Sequence, residues 1–115
     1  MPQYAAILYS RDVDWTTPDE ASVMVDYGEF GQAAGAILRG GAALYQTSTA
    51  TTVRTSEKGG EVVTSDGPYA ETKEALTGFY LMECADLDEA IAWASKIPAA
   101  WDSAVEVRPV IDFGM

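Results

Sequence analysis

Residues 78–84, Gly-Phe-Tyr-Leu-Met-Glu-Cys, carry apolar side chains on both sides of what reads as one strand. Successive side chains of a strand point to opposite faces. Phe79 and Leu81 therefore share one face, and Tyr80, Met82 and Cys84 share the other. The first strand, residues 3–9, does the same, with Ala6 and Leu8 opposed to Ile7 and Tyr9. A sheet built from such strands has to be covered on both faces, because neither can be left to water.

The rest of the chain offers helices for only one of those faces. Residues 19–38 repeat Val23, Tyr27, Phe30, Ala34 and Ile37 at spacings of four and three, which predicts a helix ended by Gly40-Gly41. Gly28, Gly31 and Gly35 lie on a flank of it, either to admit a close neighbour or simply as weak points. Asp86 is placed to cap a second helix running to about Ile97, with Leu87, Ala90, Ile91, Ala94 and Ile97 as its buried stripe and Pro98 as its stop. Between the helices come a short strand at 42–45 and two β-branched runs, 49–55 and 61–65. The loop Ser56-Glu57-Lys58-Gly59-Gly60 joins those runs as a hairpin, and a last strand covers 104–110.

That order predicts one domain, residues 1–115, with an α+β fold of ferredoxin-like type: an antiparallel sheet with two helices on one face. The uncovered face predicts a homodimer with the two sheets packed against each other.

Composition narrows the chemistry. The chain has no His and no Asn, which removes Ser-His-Asp and Cys-His catalysis, histidine proton shuttles and every histidine-containing metal site. Eighteen acidic side chains against seven basic ones give a net charge of −11, and the basic residues are scattered. Such a surface repels duplexes and anionic membranes, so neither direct nucleic-acid binding nor membrane attachment is expected. No apolar run approaches the roughly 20 residues a membrane span needs. Met1-Pro2-Gln3-Tyr4 has no basic n-region, and with Cys84 as the lone cysteine the expected location is the cytoplasm. Cys84 itself reads as core, since an apolar strand suppresses thiolate formation. No phosphate loop, metal cluster or dinucleotide fingerprint is present, and no cofactor is expected.

The candidate site centres on Asp66-Gly67-Pro68-Tyr69-Ala70-Glu71-Thr72-Lys73, a bent loop running into a strand. Asp66 reads as a general acid or base or a ligand anchor, or else as the cap of its own turn. Tyr69 projects either a phenol into a pocket or a ring into packing. Glu106 and Arg108 are two apart on a strand and share a face, where Arg54 from the hairpin can join them to hold a carboxylate or phosphate. The bland alternative for these three is an ion network between strands.

Thr49-Ala50-Thr51-Thr52-Val53-Arg54, the segment from Asp66 to Glu74, Gly78-Phe79-Tyr80, Asp86-Leu87-Asp88-Glu89-Ala90 and Val105-Glu106-Val107-Arg108-Pro109 resemble the YCII-related family. More narrowly they are similar to its branch named for an Asp-Gly-Pro-Phe motif, with Tyr69 in place of Phe. The resemblance implies a dimeric α+β barrel of ferredoxin-like subunits. It also implies genes neighbouring those of extracytoplasmic-function sigma factors. Better-studied members carry a proposed catalytic His-Asp pair, which this chain cannot supply for want of His. The function expected is therefore a homodimer that binds or acts on a small anionic metabolite in a cleft near the Asp-Gly-Pro-Tyr loop. The alternative is a non-catalytic regulatory module that meets a sigma-factor-linked protein partner.

Overall fold

A computed structural model describes residues 1–70 and 73–114; Glu71 and Thr72 of the motif segment lie outside the described residues. Six strands and three α-helices follow in the order β1 (Gln3–Ser10), α1 (Ala21–Ala33), β2 (Leu38–Ala43), β3 (Thr51–Thr55), β4 (Val62–Asp66), β5 (Ala75–Glu83), α2 (Leu87–Ala94), α3 (Ala99–Asp102) and β6 (Ala104–Pro109), with short 3-10 turns at Pro18–Glu20 and Thr47–Thr49. Four strands form one antiparallel sheet in the order β2-β5-β1-β6, and β3 with β4 forms a separate two-stranded ribbon. The fold is α+β, and the sheet does not close into a barrel.

Alternation along β1 sets the layers. Tyr4, Ala6, Leu8 and Ser10 are buried, while Gln3, Ala5, Ile7 and Tyr9 between them are only partly covered. The buried set joins Phe30 and Ala34 at the end of α1, Met82 and Cys84 of β5, Ala90 and Ala94 of α2, then Ile97 and Ala99 in one core. All three helices thus cover the same face. Met82 and Ile97 are fully buried, and each contributes roughly 1.5–3 kcal/mol by leaving water.

Two readings of the helices need correction. The sheet carries three helices where two were expected, because Pro98 starts a further short helix instead of leading straight to the last strand. In α2, Leu87 and Ile91 are about half exposed, while Ala90 and Ala94 make the contact with the sheet. Small side chains let the helix sit close, and that closeness turns its larger apolar residues outward. The N-terminus of α2 is as read: the Asp86 carboxylate accepts from the Glu89 N–H at 2.9 Å, and Glu89 in turn accepts from the Ala85 N–H at 3.2 Å.

The α1 end is also displaced. Helical structure stops at Ala33, and β2 begins at Leu38, so Gly40-Gly41 lies inside a strand and not at a helix end. Pairing with β5 overrides the local stop signal. A Cβ on Gly41 would stand 2.6 Å from the Phe79 carbonyl oxygen, and one on Gly78 would stand 2.7 Å from that of Ala42. Only glycine permits this approach of β2 to β5. Gly28 and Gly31 of α1, by contrast, have nothing within 4 Å of an added Cβ, so their effect is to weaken the helix.

Candidate functional site

A bulge in β5 builds the site. Register with β1 slips between Leu8, which faces Gly78, and Tyr9, which faces Leu76. Thr77 is the extra residue, and its buried hydroxyl donates to the Leu8 carbonyl at 3.5 Å. Beyond the bulge the alternation reverses. Leu76, which shares its parity with inward-facing Tyr80 and Met82, turns instead to the helix-free face beside Tyr9.

Leu76 and Tyr9 form part of the wall of a groove of about 1000 Å³. The segment after β2 supplies Leu44, Tyr45, Gln46 and Thr47, and the loop after β4 supplies Pro68, Tyr69 and Ala70. Asp12, just past β1, fixes the first of these segments. Its Oδ1 accepts from the Thr47 N–H at 2.7 Å, and its Oδ2 accepts from the Thr47 hydroxyl. Those two bonds hold the Asp12 carboxyl below the usual carboxylate range. Next to Thr47, the Oε1 of Gln46 is buried with no hydrogen-bond partner among the described residues.

The loop bearing the motif is tied to β3. The Gly67 N–H donates to the Ala50 carbonyl at 2.8 Å, and the Thr52 hydroxyl donates to the Gly67 carbonyl at 2.8 Å. Gly67 has a φ of +98°, a conformation other residues rarely adopt. Asp66 is the last residue of β4, paired with Thr51 and exposed. Its carboxylate makes no hydrogen bond or ion pair among the described residues, and the turn is held by its neighbours.

The candidate residues named from sequence fall into two groups. Arg54 lies over the ring of Tyr69, its guanidinium carbon 5.5 Å from the centroid, and has no acidic partner among the described residues. Register places Arg54 opposite Val63 and Asp66 opposite Thr51, so Arg54 and Asp66 occupy opposite faces of the ribbon. Glu106 and Arg108 form a 4.0 Å ion pair on the edge strand β6, facing Ile7 and Ala5 on the helix-free face of the four-stranded sheet. Tyr69 is the one of the five that lines the groove. Among the described residues, no three or more His, Cys, Asp or Glu side chains come together in a way that can hold a metal ion.

A model of the YCII-related domain matches residues 4–114. The chain belongs to the YCII-related family. A YCII-related relative, an uncharacterised protein of Rhizobium meliloti (strain 1021), is 39% identical over 119 residues, covering 93% of this chain and 90% of that protein. This YCII-related domain thus carries its groove residues Asp12, Gln46, Thr47 and Leu76 at places the motif does not mark. Gln46 and Thr47 follow a strand with no turn signature, and Leu76 reaches the groove only through a bulge that periodicity does not show. No helix among the described residues is long and apolar enough to cross a membrane.

Proposed function

We propose that this protein is a homodimeric small-molecule binding protein whose ligand lies in the groove between β1, β5 and the Asp-Gly-Pro-Tyr loop. The observation that carries this reading is the Oε1 of Gln46, buried and without a hydrogen-bond partner among the described residues, beside a groove of ligand size. A buried acceptor left unpaired costs roughly 1–3 kcal/mol, a cost that a ligand N–H or O–H removes. Tyr9, Tyr45 and Tyr69 supply aromatic surface for a flat body. Arg54, stacked on the groove-lining Tyr69 and lacking an acidic partner among the described residues, suits an acidic group on the ligand. The ligand class is a small planar acid with one hydrogen-bond donor.

Binding without turnover is the form we favour. The acid–base candidate Asp66 lies outside the groove lining and on the ribbon face opposite Arg54. The strand order, with the β3–β4 ribbon as an insertion, supports a ferredoxin-like subunit. The motif residues 66–69 support the Asp-Gly-Pro-Phe branch of the family. Ile7, Phe79 and Leu81 on the helix-free face support a second copy packed there.

The test is an NMR titration of uniformly 15N-labelled protein with 4-aminobenzoate, which has a planar ring, an amine donor and a carboxylate. Saturable shifts at the amides of Tyr45, Gln46, Tyr69 and Leu76, weakened about tenfold in Gln46→Leu, are expected. Absence of saturable shifts at these amides, or equal binding by Gln46→Leu, would overturn the reading and leave the regulatory-module alternative.

A further inference from the structure

A second cavity, of about 300 Å³, lies on the other side of the sheet, between α1 and the β2–β5 pair. Its floor has almost no side chains. Gly41 and Ala43 of β2 pair with Tyr80 and Gly78 of β5, so on the helix side three adjacent positions carry at most a methyl group. The cavity opens to solvent along β2, whose Gly41, Ala42 and Ala43 are exposed. Here the two glycines are dictated by strand approach, since a Cβ at either would meet a carbonyl oxygen of the neighbouring strand at 2.6–2.7 Å. The recess follows from that approach, with the Tyr80 ring lying close over Gly41 and Met24 and Tyr27 of α1 along one side.

The walls are aromatic. Trp15, 9% exposed, closes one end, and its ring is held from outside by the Arg11 guanidinium 5.4 Å away. Arg11 is itself fixed by two bonds to the Glu20 carboxylate, at 2.8 and 3.2 Å. Tyr80 stands on the opposite side, its ring set by Phe30 at a centroid distance of 5.1 Å and a tilt of 56°. Tyr27 comes down from α1. Burial pushes both tyrosine phenols above their usual range, so each is a neutral donor at physiological pH. The Tyr80 hydroxyl has no hydrogen-bond partner among the described residues.

We infer that this cavity is a second binding site, for an uncharged aromatic molecule bearing one acceptor oxygen, distinct from the groove on the helix-free face. A flat ring lies on the glycine floor between Trp15 and Tyr80, in the offset or edge-to-face geometries aromatic pairs prefer. The acceptor oxygen accepts a hydrogen bond from the Tyr80 hydroxyl. Among the described residues no cation lines the cavity, so an anion is partly desolvated there with no charged partner. This separates its ligand from the acidic one assigned to the groove.

The probe is acetophenone, compared with ethylbenzene, which lacks the oxygen, and benzoate, which is charged. In 15N-labelled protein, acetophenone is expected to give saturable shifts at the amides of Gly41, Thr77 and Gly78 and at the Trp15 indole N–H, with benzoate leaving them in place. Tyr80→Phe is expected to weaken acetophenone fivefold to tenfold and to leave ethylbenzene unchanged. Ala43→Phe, at an exposed position of the edge strand, fills the floor and is expected to abolish both while signals distant from the cavity stay where they were. Met24→Trp closes the same space from the helix side, and serves if Ala43→Phe perturbs the sheet. The inference is overturned if acetophenone shifts only groove amides such as Tyr45 and Leu76, if benzoate binds the cavity as well as acetophenone, or if both filled variants bind like the parent. Because groove and cavity report through different amides, failure here is separable from failure of the groove reading.

Discussion

The Thr52 hydroxyl donates to the Gly67 carbonyl at 2.8 Å, fifteen residues along the chain, and so fastens the motif loop to β3. The neighbouring Asp66 carboxylate makes no such bond among the described residues. Removing the hydroxyl leaves a half-buried carbonyl unpaired, so Thr52→Val is expected to destabilise by about 1 kcal/mol. Asp66→Asn is expected to stay within about 0.5 kcal/mol of the parent. Urea denaturation of the two variants, with exchange of the Gly67 amide as the local probe, checks both. A large loss for Asp66→Asn would mean the carboxylate holds the turn after all.

Glycines separate into two kinds. Gly41→Ala or Gly78→Ala forces a carbonyl oxygen away from a new Cβ by several tenths of an ångström, which parts β2 from β5. Either is expected to cost about 3 kcal/mol or more, a large share of the stability of a domain this size. Gly28→Ala and Gly31→Ala meet open space and are expected to stabilise α1 by about 0.5–1 kcal/mol each. Thermal melts of the four variants should show the two pairs moving in opposite directions.

Tyr27 makes alkaline stability pH-dependent. Burial, with the nearby Tyr80 phenol adding to it, pushes the Tyr27 phenol up from 10.0 to about 12. A raised folded pKa means the folded state holds the proton after the unfolded chain has lost it. The contribution is therefore complete below pH 10 and lost as pH climbs toward 12, by on the order of 2–3 kcal/mol. Unfolding midpoints in urea at pH 9, 10 and 11 should fall, and Tyr27→Phe should flatten that limb. A slope unchanged by Tyr27→Phe would exclude this phenol as its source.

On the helix-free face, Ile7 pairs with Phe79 and Ala5 with Leu81, a run of apolar pairs in the centre of the sheet. If a second copy covers it, Phe79→Glu places a charge in that contact and should yield monomers of 12.3 kDa with the fold intact. Light scattering on the parent should give twice that mass. A monomeric parent at micromolar concentration would remove the homodimer from the proposed function.

Much of the architecture was legible in the chain. Alternation in β1 and β5 announced a sheet apolar on both faces, and the spacing of four between Phe30 and Ala34 located the inner side of α1. Asp86 capped its helix where a side-chain acceptor three residues before an N–H predicts it. These signals are local: a period of two or 3.6 and a cap depend on neighbours within one turn or one strand. The family, too, could be read from short motifs in their order.

What the tertiary structure decided depends on partners far apart in sequence. Gly40-Gly41 looked like a helix stop until pairing with β5 drew it into a strand. Leu76 reached the groove because an extra residue, Thr77, reversed the alternation there, and register is set between strands, not within them. Asp12 and Thr47 met across thirty-five residues, and the side-chain Oε1 of the adjacent Gln46 is left without a hydrogen-bond partner among the described residues. Arg54 and Asp66, twelve apart and both in the hairpin, ended on opposite faces through the register of β3 with β4. Periodicity names the faces of each element; only the packing of elements determines which faces meet, and a site is made where they do.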